Sequence, residues 1–430
     1  MTKLWQKDEN ILHPKIEEYT VGSDYIFDRE IMSYDILASL AHAKGLEKIG
    51  ILTKDEFNSL KFGLQELENE WQAGKINITI QDEDCHTVIE NYLTNKLGSV
   101  GKKIHTGRSR NDQVLTAMRL YMKAELNIIK QLTLDLVKTF LAQTKKHKNV
   151  PLPGYSHTQQ AMLSSVGHYY ASFVESLLDD LEFLQSVKSY IDKSPLGSAA
   201  GFGVNLDLPR KFVAEELGFA NVQTNSMYCQ NSKGKFESAY LESLSQIMMT
   251  LSKFATDMLM FSSQEFKFFV INPNLVTGSS IMPHKKNLDV LEIIRGNATV
   301  VQANQMMVKE LYKNLLSGYN RDSQLMKKPL FGSIKIVKAS LEVAKLFLEG
   351  ITPDKKEIES KINPNIFMAD LANQLVVEQG ICFRDAYILA KDKISEYNII
   401  ISDEIHKKIS LGAAGNLCLE EYEERIKLLS

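Results

Sequence analysis

The sequence predicts an all-α chain of three mostly helical domains around a central bundle of long helices, and three observations carry that prediction. Only 10 prolines occur in 430 residues, and several long stretches lack both proline and glycine, so little in them breaks a helix. Apolar residues recur through those stretches at helical spacing. Some stretches are apolar on more than one face and need neighbours on more than one side, which predicts a bundle whose core is shared with other subunits. At 430 residues the chain also exceeds the length at which one hydrophobic core stops growing.

Taken in order, the helical spacing from Ser33 to Ile51 predicts a first helix. Thr53-Lys54-Asp55-Glu56 then has the Thr-x-x-Glu form of a capping box, opening a second helix to about Gly74. Ile76, Ile78 and Ile80 alternate with polar residues, the period of a short strand. Asp82-Glu83-Asp84 offers N-caps for a helix ending near Gly98.

Gly107 and Pro151 bracket a stretch with neither glycine nor proline, enough for a helix on the order of 60 Å at about 1.5 Å per residue. Pro151-Leu152-Pro153-Gly154 ends it. Further long helices are expected from about Gln159 to Asp192, from Lys235 to Ile271, and from near Lys285 past Gly296 toward Leu316. Gly197-Ser198-Ala199-Ala200-Gly201-Phe202-Gly203 follows a helix instead of a strand and lacks the glycine spacing of a dinucleotide cradle, so it reads as a tight connection. Pro353 and Pro364 mark a shift to a shorter, charge-rich segment. The expected domains are therefore residues 1–107, 108–352 and 353–430.

Hydrophobic content of 44% and charged content of 24% are ordinary for a globular protein. The net charge is -3 and no window is strongly basic, which argues against nucleic acid and anionic membranes as partners and favours small molecules and copies of the chain itself. The most apolar helical run, Ile247 to Phe261, is interrupted by Lys253 and Asp257 and is too short for a bilayer. Met1 to Asp8 has no apolar core of a signal peptide. Cys85, Cys229, Cys382 and Cys418 lack Cys-x-x-Cys spacing, as expected of reduced thiols in a cytoplasmic protein.

Two segments concentrate chemistry. His105-Thr106-Gly107-Arg108-Ser109-Arg110-Asn111-Asp112 sets hydroxyls, an amide and two guanidiniums at the N-terminus of the longest helix, an anion cradle suited to a di- or tricarboxylate. Gly278-Ser279-Ser280-Ile281-Met282-Pro283-His284-Lys285-Lys286-Asn287 puts two hydroxyls after a glycine, and two lysines and an amide where the next helix would begin. That composition reads as a mobile loop closing over something negatively charged. No His-Glu-x-x-His and no His/Cys cluster at ligand spacing occurs among the nine histidines, so neither a metal nor a cofactor is expected.

The second of these strings resembles the signature loop of the fumarase/aspartase superfamily of elimination lyases. The first resembles the matching segment of the argininosuccinate lyases, as do Asp82-Glu83-Asp84-Cys85-His86-Thr87, Phe27-Asp28-Arg29-Glu30 and Tyr319-Asn320-Arg321-Asp322-Ser323-Gln324-Leu325-Met326-Lys327. The resemblance implies a cofactor-free, reversible elimination of argininosuccinate to arginine and fumarate. It makes Ser279 the base, and it makes His157, in Pro153-Gly154-Tyr155-Ser156-His157-Thr158-Gln159, a participant in proton transfer oriented by Glu292. Lys285 and Asn287 would stabilise the doubly charged aci-carboxylate. Ser109, Arg110, Asn111, Ser156, Tyr319, Gln324, Lys327 and His86 match substrate-binding positions, and a homotetramer with shared active sites is implied.

Two alternatives accompany this reading: another lyase of the superfamily acting on a related succinyl substrate, and a non-catalytic structural relative. The segment from Arg108 to Asp112 argues against the first, and retention of His157, Ser279, Lys285 and Glu292 against the second. Some positions depart from the family pattern. Asp24 stands where a substrate-contacting serine is usual, Tyr228 to Lys235 replaces an acidic stretch, and Met326 replaces an aspartate. These departures bear on the arginine end of the pocket.

Overall fold

The computed structural model describes residues 12–430, so the stretch Met1 to Asp8, read above as lacking an apolar core, lies outside the described residues. Helices dominate, as expected. Five long ones carry the architecture: Arg110–His147, Val166–Ile191, Lys235–Phe261, Asp289–Tyr312 and Lys327–Glu349. The first has 38 residues, about 57 Å at the usual rise.

The chain forms two compact units. One takes the chain up to Ile128 with Leu184–Ser245 and Val300–Lys335, and the other takes Ile129–Phe183, Gln246–Thr299 and Ile336–Ser430. Every boundary falls inside one of the five long helices, so each helix contributes a stretch to both units.

In the first unit the capping box closes as its sequence requires. Thr53 Oγ1 accepts from the Glu56 amide at 3.2 Å, and the Thr53 amide donates to Glu56 Oε2 at 3.0 Å. The helix it opens, Lys54–Gln72, buries Leu60, Leu64 and Leu67 on one face, a spacing of three to four residues that forms a single apolar stripe. Gly63 on that stripe lies so close to Leu93 that a Cβ would come within 2.9 Å of it, and the helix Cys85–Leu97 packs there.

Four sequence expectations are corrected. Ile76, Ile78 and Ile80 form no strand: Ile78 is buried and its neighbours exposed, as the alternation requires, but no second strand lies alongside among the described residues, and Arg29 donates to the Ile78 carbonyl at 3.2 Å. Burial alone satisfies that pattern without a ladder. The helix expected from Gln159 begins at Val166, because Gln159–Ser165 pairs antiparallel with Pro151–Ser156, from Pro151↔Ser165 to Ser156↔Gln159 with a register shift between Gly154 and Tyr155.

The helix from Lys235 ends at Phe261, not Ile271, since Phe269–Ile271 leaves it to pair with Ile351–Pro353. The fourth helix starts at Asp289 and not at Lys285, because Lys286–Asn287 is held by Thr277–Gly278 as a short antiparallel pair. Tertiary pairing overrides helical spacing in the last three cases.

Candidate active site

The expected site residues fall into two sets, one in each unit. In the first unit, the turn at Asp24–Phe27, the starts of the Cys85–Leu97 and Arg110–His147 helices, and the segment from Tyr319 to Lys327 surround a cavity of about 170 Å³. His86, Arg110, Asn111, Tyr319, Gln324 and Lys327 all line it. Ser109 stands beside it, its hydroxyl accepting from the Asn111 amide at 3.3 Å.

The glycine-rich loop positions this helix start. The amides of Gly197 and Ala199 each donate to Asp112 Oδ2 at 2.9 Å, and the Ser109 amide donates to Asp112 Oδ1 at 2.9 Å. The loop is thus an anion cradle whose anion belongs to the protein. Burial pushes the Asp112 carboxyl up to about 6 against these hydrogen bonds.

The cavity wall is a network of ion pairs. Lys327 sits between Asp24, at 2.7 Å, and Asp28. Asp28 is wholly buried and accepts from the Cys85 amide at 3.0 Å. Burial alone would raise the Asp28 carboxyl, but Lys327 and His86 outweigh it and hold it below the ordinary carboxylate value. Burial would likewise lower the Lys327 ammonium, and Asp28 and Asp24 reverse that and raise it.

Arg110 pairs with Asp84 and, at 3.5 Å, Glu83, while Arg321 reaches Glu83 at 2.8 Å. His86 Nδ1 meets Asp35 at 2.6 Å, leaving a buried Nε2 without a partner. Gln324 donates to the backbone carbonyls of Val21, at 2.9 Å, and Thr20, at 3.2 Å.

Donor atoms of Asp28, Cys85 and His86 lie within 4.8 Å of one another, as a metal site would need. Each nevertheless has a role without one: Asp28 serves Lys327 and the Cys85 amide, His86 serves Asp35, and burial pushes the Cys85 thiol well up.

In the second unit, His157 is not at the mouth of a helix but at the two-residue tip of the Pro151–Ser156/Gln159–Ser165 hairpin. His157 and Thr158 have φ of 51° and 61°, the paired left-handed geometry of the tightest hairpin turns. For non-glycine residues that conformation costs about 1–3 kcal/mol each, and the hairpin is anchored well enough to hold it. Gln160 donates to the Lys361 carbonyl at 2.7 Å and accepts from the Asn363 amide at 2.9 Å, while Tyr155 packs on Phe261 and Phe266. Ser156 and His157 are exposed.

Ser279, Lys285 and Asn287 share one loop. Asn287 Nδ2 ties it across to the Gly278 carbonyl at 3.2 Å. Ser279 Oγ accepts amide hydrogens from Met282, at 3.1 Å, and Ile281, at 3.4 Å. Lys285 is exposed, and Ile281 at the tip is 81% exposed. Glu292 is exposed in the first turn of Asp289–Tyr312, and no hydrogen bond joins it to His157.

Sequence reasoning passed over Asp28, Glu83, Asp84, Arg321 and Lys233 as cavity residues. The first four lie inside quoted motifs and were legible as acids and bases near expected contacts. Lys233 had no signal except its place in a divergent segment.

A family profile described as "Lyase" matches residues 16–303. The chain is 44% identical to an argininosuccinate lyase of Thermotoga neapolitana over 91% of this chain and 98% of that one. It is 38% identical to the argininosuccinate lyase of Stenotrophomonas maltophilia over 99% of both. Among solved structures, EDDS lyase in complex with formate superposes with a TM-score of 0.81 at 20% identity, covering 98% of this chain and 90% of that one. A class II fumarase from Schistosoma mansoni gives 0.74 at 16% identity, covering 99% and 96%.

Proposed function

The chain belongs to the argininosuccinate lyase family, and from that premise we propose how its two residue sets divide the work. The activity is the reversible elimination of argininosuccinate to arginine and fumarate, a carbon–nitrogen bond cleavage in arginine biosynthesis. A proton leaves the carbon beside a succinyl carboxylate, the electron pair becomes the new double bond, and the guanidino nitrogen departs and is protonated.

Ser279 acts as the base. The observation that carries this assignment is the pair of backbone amides, Ile281 and Met282, already directed at Ser279 Oγ. A free serine hydroxyl is far too weak an acid to ionise near neutral pH, and fixed N–H dipoles are what an oxyanion at that atom requires. Closure of the exposed loop over substrate would exclude water and bring Lys285 and Asn287 to the succinyl carboxylate. His157, oriented by Glu292, supplies the proton to the leaving nitrogen, and Ser156 binds beside it. Ser109, Arg110, Asn111, His86, Tyr319, Gln324 and Lys327 hold substrate in the cavity of the first unit.

The sites are shared within a homotetramer. Exposure of His157, Lys285 and Glu292 in one chain supports this, because a desolvated elimination site needs another surface over them. Ile293, Val300 and Met307 are 63%, 44% and 43% exposed at seven-residue intervals on one helix, an apolar stripe of the kind that packs between helices. We also propose a domain organisation of residues 1–107, 108–352 and 353–430, supported by the five long helices all falling within the middle span. Four free thiols support a cytoplasmic location, and among the described residues no helix is long and apolar enough to cross a membrane.

Adding argininosuccinate should produce the ultraviolet absorbance of fumarate. Turnover of aspartate or adenylosuccinate with none of argininosuccinate would overturn the substrate assignment. Mixing inactive His157→Asn and Ser279→Ala proteins should restore part of the activity through hybrid sites. No recovery despite demonstrated subunit exchange would refute site sharing.

A further inference from the structure

We propose that Lys233 is a substrate-binding residue that receives the α-carboxylate of the arginine half of the substrate. The proposal rests on the reading above, in which Lys285 and Asn287 serve the succinyl end.

Lys233 lines the cavity and is only 7% exposed. Among the described residues facing that space, the other cations have acidic partners: Arg110 has Asp84, Arg321 has Glu83, and Lys327 has Asp24 and Asp28. Lys233 Nζ is buried with no hydrogen-bond partner and stands 4.1 Å from the centre of the Tyr319 ring. A buried ammonium without a hydrogen-bond partner lacks most of what it loses by leaving water, and a ring face restores only part of it.

Backbone geometry holds the lysine there. It sits between the helices Ser226–Asn231 and Lys235–Phe261, its amide donating to the Gln230 carbonyl at 3.2 Å. The next residue, Gly234, has φ +76° and donates to Glu237 at 2.7 Å, and a Cβ there would run into Tyr312. The side chain is therefore presented to the cavity by a fixed turn.

The charged groups acting on the amine are Glu237 on the helix that follows it and Lys327, Arg119 and Asp112 from other elements, with Tyr319 at the ring contact. Burial outweighs them and pushes the Lys233 ammonium down to about 7. An amine held near neutrality in a wall whose other charges are ion-paired suits an amino-acid zwitterion: Asp24 attracts the α-ammonium, and Lys233, taking up a proton, pairs with the α-carboxylate.

The sign of the pH dependence follows. Below about pH 7 the free lysine is already charged, so arginine affinity is flat with respect to this group. Above it, binding must take up a proton, and affinity falls by up to about tenfold per pH unit.

The test uses the assembled wild-type protein, Lys233→Met and Lys233→Arg, with arginine and fumarate as separate calorimetric probes in buffers of different ionisation enthalpy. Expected results are proton uptake on arginine binding by wild type above pH 7, and at least a tenfold weaker arginine affinity with unchanged fumarate affinity in Lys233→Met. Lys233→Arg should bind arginine without proton uptake, and this keeps the test decisive if the methionine protein does not fold. Uptake that persists in Lys233→Arg, or fumarate affinity falling as far as arginine affinity, overturns the proposal. Failure of the substrate reading itself would show separately, as wild type that makes no fumarate from argininosuccinate.

Discussion

Ser279→Ala is expected to make fumarate on the order of 10³-fold more slowly than wild type, the usual scale for losing a positioned base. The fall should appear in kcat, with KM little changed, because the hydroxyl is needed only as the C–H bond breaks. Structure should survive the change. The two hydrogen bonds that Ser279 Oγ receives come from amides of its own exposed loop, and water can replace the hydroxyl there at a cost within about 0.5 kcal/mol. Helical circular dichroism and assembly should match wild type. A variant retaining more than about a tenth of the activity would remove Ser279 from the base role, since no general base contributes so little.

Lys327→Met should be the most damaging single change to the fold of the first unit. It leaves Asp24 and the wholly buried Asp28 facing each other with no cation between them. Breaking a buried pair from one side costs about 3–5 kcal/mol. The loss should be larger at neutral than at mildly acidic pH.

In wild type the depressed Asp28 value means that its contribution is present above the unfolded-state value and is lost only as pH falls through the lower folded-state one. Without Lys327, burial raises both carboxyls above their unfolded-state values, the folded protein binds more protons than the unfolded one, and its stability rises as pH falls. Denaturant unfolding of both proteins near pH 7 and near pH 5 checks this, and a deficit that does not shrink at the lower pH would exclude buried charge as the cause. Adding Asp28→Asn to Lys327→Met should recover part of the loss.

Much of the fold was legible because its signals are local. Thr53 and Glu56 close their box across three residues, and Asp84 caps its helix by accepting from the Thr87 amide at 2.8 Å. The absence of glycine and proline between Gly107 and Pro151 leaves the longest helix uninterrupted. Where the reading failed, the deciding partner was distant. Phe269–Ile271 becomes a strand because Ile351–Pro353 lies beside it, and spacing within either segment cannot announce the other.

By itself, the sequence determined the helical class, the family, and the segments that carry chemistry, because periodicity, caps and motif strings are written in consecutive residues. Tertiary structure alone decided which charges meet. Asp28 and Lys327 are 299 residues apart in the chain yet paired, His157 stands at the tip of a hairpin, and among the described residues facing the cavity Lys233 is the cation left without a hydrogen-bonded acid. Whether a buried charge is paired depends on every element packed around it, and only the folded chain brings those elements together.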